Sequence, residues 1–159
     1  MSTLRSDPPE AAAPGLLRRF AAMFYDSLLV LAVQWGATAL LITIKASMSG
    51  GEAIQASRQA AVSGPALQLA LLAVLVLFFG WFWTRSGQTL GMQAWRLRVQ
   101  QPCGASITWP QALLRLACAT PSLLLFGAGY WWALIDREGR TWPDRCSGTQ
   151  VILLAKRRR

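Results

Sequence analysis

RRFAAMFYDSLLVLAVQWGATALLITI, residues 18–44, is the stretch whose reading decides the fold. From Ser27 to Ile44 the run is apolar apart from Gln34 and scattered Ser and Thr. At about 1.5 Å per residue, a helix from Phe20 to Ile44 is long enough to cross a ~30 Å hydrocarbon layer with some tilt. Two features are unusual for such a segment. Arg18 and Arg19 stand at its entrance, and Asp26 lies inside its first turns. A cleaved export signal has no use for an acid there, so the reading is a retained span, expected over about 20–44.

Working outward, residues 1–15 are rich in Pro, Ala and polar residues and are expected to be a disordered tail. Residues 45–65 form a polar loop with a Gly-Gly pair. A second span is expected over about 66–84. Its end carries Phe78, Phe79, Trp81, Phe82 and Trp83 directly before Arg85, the aromatic belt and basic anchor of a membrane interface. Apolar and basic residues then alternate from Trp95 to Val99, which predicts a β-like segment near 95–100, and Val151 to Leu154 predicts a second near 151–154. Thr108-Trp109-Pro110-Gln111 has the cap, the first-turn proline and the capping-box glutamine of a helix start. The third apolar region, about 109–135, is expected to break at Pro121 into two half-helices. Residues 155–159 end the chain as a basic tail.

Basic residues constrain the topology. Three lie in the N-terminal tail, two in the first loop, three after the second span and seven in the C-terminal tail, with Arg115 alone in the third region. If the third region spans, the split across the membrane is 6 against 9; if it returns, the split is 13 against 2. Cytoplasmic loops carry the excess of Lys and Arg, so two spans plus a re-entrant or interfacial third region, both termini cytoplasmic, is the expected arrangement. The fold class is an all-α membrane protein with two short β-like segments, and residues 16–154 form one membrane domain.

Composition agrees. Charged residues make up 14% of the 159, against about 25% in a soluble domain. The net charge of +9 gathers beside the apolar runs, which points to anionic lipid head groups and away from nucleic acid. No histidine is present, and Cys103, Cys118 and Cys146 show no metal-ligand or redox spacing, so no metal and no cofactor is expected. No nucleophile–base pair or phosphate loop is visible either, and no enzymatic activity is expected.

Five ionisable residues form the candidate polar network: Arg19, Asp26, Arg115, Asp136 and Asp144. A carboxylate or guanidinium within a span costs about 3 kcal/mol on insertion scales. Arg19 and Asp26 share a helix face but lie about 10 Å apart along it, too far to pair directly. Arg115 is the expected partner of Asp26. Asp136 is expected to satisfy a loop beside Arg137 and Arg140, and Asp144 to accept backbone N–H groups in its own turn. Gln34 and Gln68 are candidates for hydrogen bonds between the spans.

With these residues placed, the chain resembles the RDD family of small bacterial membrane proteins, named for one Arg and two Asp. RRFAAMFYDSLL supplies Arg19 and Asp26, and DREGRTWPDRCSGTQVILL supplies Asp144. GQTLGMQAWRLRVQ and ITWPQALLRLA, with Arg115, resemble the middle section. Pro143 departs from the pattern, because many relatives carry a histidine before the final Asp. The resemblance implies an inner-membrane protein involved in transport, and sodium–proton exchange has been connected with some relatives. The expected function is therefore a small cation or proton exchange component acting as a homo-oligomer or with a membrane partner. The alternative is a structural or accessory membrane protein whose Arg–Asp pairs hold the fold and whose basic face binds lipid.

Overall fold

The computed structural model describes residues 13–49 and 64–155. The expected N-terminal tail, apart from residues 13–15, most of the first loop, and residues 156–159 of the basic tail lie outside the described residues.

The two predicted spans are the two longest helices, α1 (Leu16–Ser49) and α2 (Pro65–Arg85). Both are long and apolar enough to cross a membrane. α1 runs five residues past the expected end at Ile44. Along both helices large side chains such as Phe24, Leu31, Leu40, Leu72 and Leu77 are more than half exposed. In water that would be a liability. Against lipid tails it carries no penalty, because a leucine gains nothing by exchanging a tail for another leucine. Contact between the spans includes one polar tie at mid-length, Gln34 Nε2 donating to the Leu71 carbonyl at 3.0 Å. Gln68 is exposed, so the bond across the helices runs from glutamine to backbone rather than between the two glutamines.

After α2 the chain folds into a compact platform. It begins with α3 (Leu90–Ala94) and β1 (Leu97–Gln100). The third apolar region follows as α4 (Trp109–Leu124) and α5 (Ala128–Trp131), the latter extended by a 3₁₀ turn at Trp132–Leu134. Then come α6 (Trp142–Ser147) and β2 (Gln150–Leu153). The strands pair antiparallel, Leu97 opposite Leu153 and Val99 opposite Val151. Alternation predicted for residues 95–99 is realised: Leu97 and Val99 are buried while Arg98 and Gln100 lie on the other face. The core gathers Ala22 of α1, Trp83 of α2, Met92, Leu97, Val99, Ile107, Ala112 and Val151.

The third region is broken as expected, and its two parts meet at 107°. The break is not at Pro121. α4 runs helically through that proline and ends at Leu124. A proline removes one backbone donor, and here side chains brace the turn around it. Thr120 Oγ1 bonds the Leu116 carbonyl at 3.1 Å and Ser122 Oγ the Cys118 carbonyl at 2.7 Å. The helix stops where Phe126 and Gly127 take left-handed φ values of 51° and 78°. Two such residues in succession cannot continue a right-handed helix.

β1 enters the third region and β2 follows it, so the pairing of these strands holds its two ends beside one sheet. At 16 residues α4 is about 24 Å long, short of the ~30 Å core.

Candidate functional site

The polar groups of the chain meet where the first turns of α1 cross the platform, and α1 itself sets the spacing. Arg19 and Asp26 are two turns apart on one face, with Ala22 between them almost fully buried at 2% exposure. The small side chain lets α3 lie directly against α1.

Asp26 is held by α3. Its Oδ2 accepts the Thr89 hydroxyl at 2.5 Å and its Oδ1 accepts the Gly91 N–H at 2.9 Å. Thr89 is also the N-cap of α3, accepting the Met92 N–H at 3.3 Å. The carboxylate thus sits where a helix start leaves N–H groups without partners. Gly91 is required by the approach, because a Cβ there would lie 2.4 Å from the Ala22 carbonyl oxygen and 2.8 Å from Asp26 Cγ.

Asp144 is held by charge. Its side chain is completely buried, between Arg19 and Arg115. Arg19 NH1 donates to Oδ2 at 3.0 Å and Arg115 NH1 to Oδ1 at 2.5 Å. Arg19 also donates through NH2 to the Gly139 carbonyl at 2.8 Å and through Nε to the Pro14 carbonyl at 3.3 Å. Arg115 NH1 reaches Thr149 Oγ1 at 2.7 Å, and its guanidinium lies over the Trp83 ring at 5.4 Å. α6 positions the acid: the Thr141 N–H donates to Asp144 Oδ2 at 2.9 Å while Thr141 Oγ1 accepts the Asp144 N–H at 3.3 Å. This reciprocal pair is a capping box, with Pro143 inside the first turn and Gly148 ending the helix at φ 62°. Burial would push the Asp144 carboxyl up. The Arg115 and Arg19 guanidiniums, with the Thr141 N–H, outweigh burial and hold it below the usual carboxylate range.

The expected pairing of Asp26 with Arg115 is therefore absent. Arg115 bonds Asp144 and Thr149, and Asp26 is satisfied by neutral donors. Arg19, Arg115 and Asp144 come together, whereas Asp26 stands apart, bonded to the start of α3. Asp136 lies outside both groups. It accepts the Arg140 N–H at 2.8 Å and pairs with Arg145, the loop role expected of it.

Residues 13–148 match the family model described as RDD family. The chain belongs to the RDD family. No curated protein and no solved structure matches it. Of the three residues on which the resemblance to the family rests, Arg19 and Asp144 are bonded to each other across 125 positions of sequence, while Asp26 serves the second junction on the same helix. Sequence reading missed the neutral partners Thr89, Gly91, Thr141 and Thr149. One signal was available, because Thr141-Trp142-Pro143-Asp144 repeats the cap-and-proline pattern of Thr108-Trp109-Pro110-Gln111. Thr149 has no local signal, since its partner is 34 residues away.

Between α1, α2 and α4 the RDD domain has a partly open, mainly apolar cavity of about 380 Å³, with Arg19, Asp26 and Arg115 on its wall. Among the described residues no cluster of three or more His, Cys, Asp or Glu is placed to hold a metal ion.

Proposed function

We propose that this protein is a non-catalytic membrane scaffold, in which the Arg19–Asp144–Arg115 cluster locks a polar platform onto two lipid-facing spans. One observation carries the reading: the Asp144 carboxylate is fully buried and accepts bonds from two guanidiniums and a backbone N–H. A cation entering there would have to displace an arginine. Removing one partner of such a buried pair leaves an uncompensated charge worth about 3–5 kcal/mol, which favours a fixed lock over a cycling site.

The platform faces the cytoplasm of a bacterial inner membrane in this reading. Both termini lie on that side, and the third region re-enters without crossing. Support comes from the strand pairing that brings the ends of that region to one sheet, and from the 13 to 2 division of basic residues. Arg85, Arg96, Arg98, Arg137, Arg140 and Arg145 then supply a basic surface for anionic head groups or a partner's acidic face. The sparsely packed α1 offers its apolar length to lipid, a second copy or another membrane protein.

One observation favours a second reading, cation or proton exchange by an oligomer. Asp26 lines the cavity and has no cationic partner among the described residues. Proteoliposomes loaded with a pH-sensitive dye separate the two. Scaffolding predicts no sodium- or potassium-driven proton flux above that of empty vesicles. Flux that disappears in Asp26→Asn establishes exchange and overturns scaffolding.

A further inference from the structure

The wall of the cavity between α1, α2 and α4 carries a carboxylate, a few hydroxyls and a group of N–H donors. Asp26 has both carboxylate oxygens occupied by Thr89 and Gly91. Two donors, in contrast, have capacity left. Arg115 is 6% exposed, and both of its hydrogen bonds leave from NH1. A guanidinium carries five N–H groups, so its Nε and NH2 remain without a partner among the described residues. Trp83, 8% exposed and stacked against that guanidinium, has an indole N–H with no partner among the described residues. Both residues line the cavity. The indole N–H is buried and unpaired, at a cost of about 1–3 kcal/mol, and the free guanidinium N–H groups beside it can share an acceptor with it.

The rest of the wall says what body that acceptor is attached to. The lining is mainly apolar and extends to Val30 on α1 and Leu75 on α2. Val30 is roughly 16 Å along α1 from Arg19, well into the hydrocarbon layer. The volume of about 380 Å³ falls in the range of small-molecule pockets, which are apolar with a few placed polar groups. The Arg19–Asp144–Arg115 cluster adds one surplus positive charge at the donor end. Asp26 stands about 10 Å further along α1 and does not cancel it locally.

We propose that this cavity binds a single acyl chain from the bilayer, its carboxylate or ester oxygen accepting from Arg115 and Trp83. The surplus positive charge disfavours a metal cation at the donor end, and the apolar walls turn away sugars and nucleotides. A free long-chain fatty acid and one acyl arm of a phospholipid share this chemistry.

The test uses the full chain in lipid nanodiscs with a palmitic acid probe bearing a photoactivatable diazirine. Crosslinks are expected on the stretches 75–83 of α2 and 115–123 of α4. Excess unlabelled palmitate removes them if the ligand is the free acid. Excess phosphatidylglycerol removes them if it is the phospholipid arm. Trp83→Phe keeps an aromatic ring under the guanidinium but deletes the N–H, and is expected to weaken labelling about tenfold. Ala119→Trp fills the cavity and is expected to abolish labelling. Its melting temperature and that of Trp83→Phe are recorded alongside, and Trp83→Phe alone decides if the larger substitution prevents folding. Crosslinks spread along outward residues such as Leu28 and Leu31, insensitive to Trp83→Phe and to both competitors, would overturn the proposal.

Discussion

Two junctions on one helix face solve the same problem by different means. At Arg19 the first turn of α1 meets α4 and α6 through full charges: one buried carboxylate between two guanidiniums. At Asp26, two turns later, α1 meets α3 through a carboxylate answered only by a hydroxyl and a backbone N–H. The first junction closes contacts between residues 125 positions apart, the second between residues 63 and 65 apart. Lipid gives apolar helices no reason to prefer one another over tails, so polar junctions must specify which elements touch. The charged junction is costly to break, because each half left alone is an ion without water. The neutral one is cheaper to break and cheaper to assemble.

The largest effect should therefore follow Asp144→Asn. The amide keeps the size of the side chain but abandons two buried guanidiniums, a loss of about 3–5 kcal/mol. For a domain of this size that is enough to remove most folded protein, read as monodisperse yield in mild detergent. A yield and melting temperature near wild type would mean that water reaches the cluster and that the contrast between the junctions is false.

Acid should erode the same contribution. Arg115 and Arg19 hold the Asp144 carboxyl below its usual range. The unfolded carboxyl titrates near pH 4, so the stability it supplies is complete above about pH 4 and is lost as pH falls through the lower folded value. The melting temperature of wild type is expected to stay level from pH 7 to about pH 5 and to fall below about pH 4. A less severe partner variant, Arg19→Lys, should melt lower at neutral pH and lose less on acidification, its fall ending at a higher pH, because a lysine at that site cannot make the bonds to Asp144, Gly139 and Pro14 together and leaves the carboxyl less depressed. Parallel curves for the two proteins would separate acid lability from this cluster.

Much of this architecture was legible in the sequence and its key pairing was not. Length and apolarity mark α1 and α2, alternation marks β1, and Thr108 with Gln111 marks the start of α4, because each is a local property. Pro121 misled as the place of the break. Proline is a local signal too, but Thr120, Ser122 and the left-handed pair Phe126–Gly127 decide where the helix stops. Asp26 and Arg115 looked complementary as the two most expensive charges within apolar runs. Their partners are chosen by tertiary placement, and Thr89-Leu90-Gly91 reads as an ordinary connector until α3 is seen lying across Ala22.

That correction gives the next effect in size. Asp26→Asn should cost about 1–3 kcal/mol, because the amide NH2 must face one of the two donors. Had Asp26 paired with Arg115, losing either would have made losing the other nearly free. With separate partners the costs of Asp26→Asn and Arg115→Gln should add to within about 0.5 kcal/mol, measured by denaturation in detergent on both single variants and the double. A double variant no worse than Arg115→Gln alone would restore the direct pair and dissolve the distinction between the junctions.

The smallest effect belongs to the ion pair outside both junctions. Arg145 pairs with Asp136, whose own side chain is 3% exposed, while more than half of the Arg145 side chain lies in solvent. Asp136 is held below the usual carboxylate range first by the Arg140 N–H and only then by Arg145. Deleting the largely exposed arginine leaves the acid its backbone donor and opens its outer side to water, which answers the carboxylate almost as well. Arg145→Ala should therefore leave the melting temperature unchanged within the precision of the measurement at ordinary ionic strength. The same substitution removes one positive charge from the basic surface, so binding to vesicles rich in phosphatidylglycerol should weaken while stability does not. An Arg145→Ala protein that melts as early as Asp144→Asn would show that burial is the wrong variable for ranking the charges of this domain.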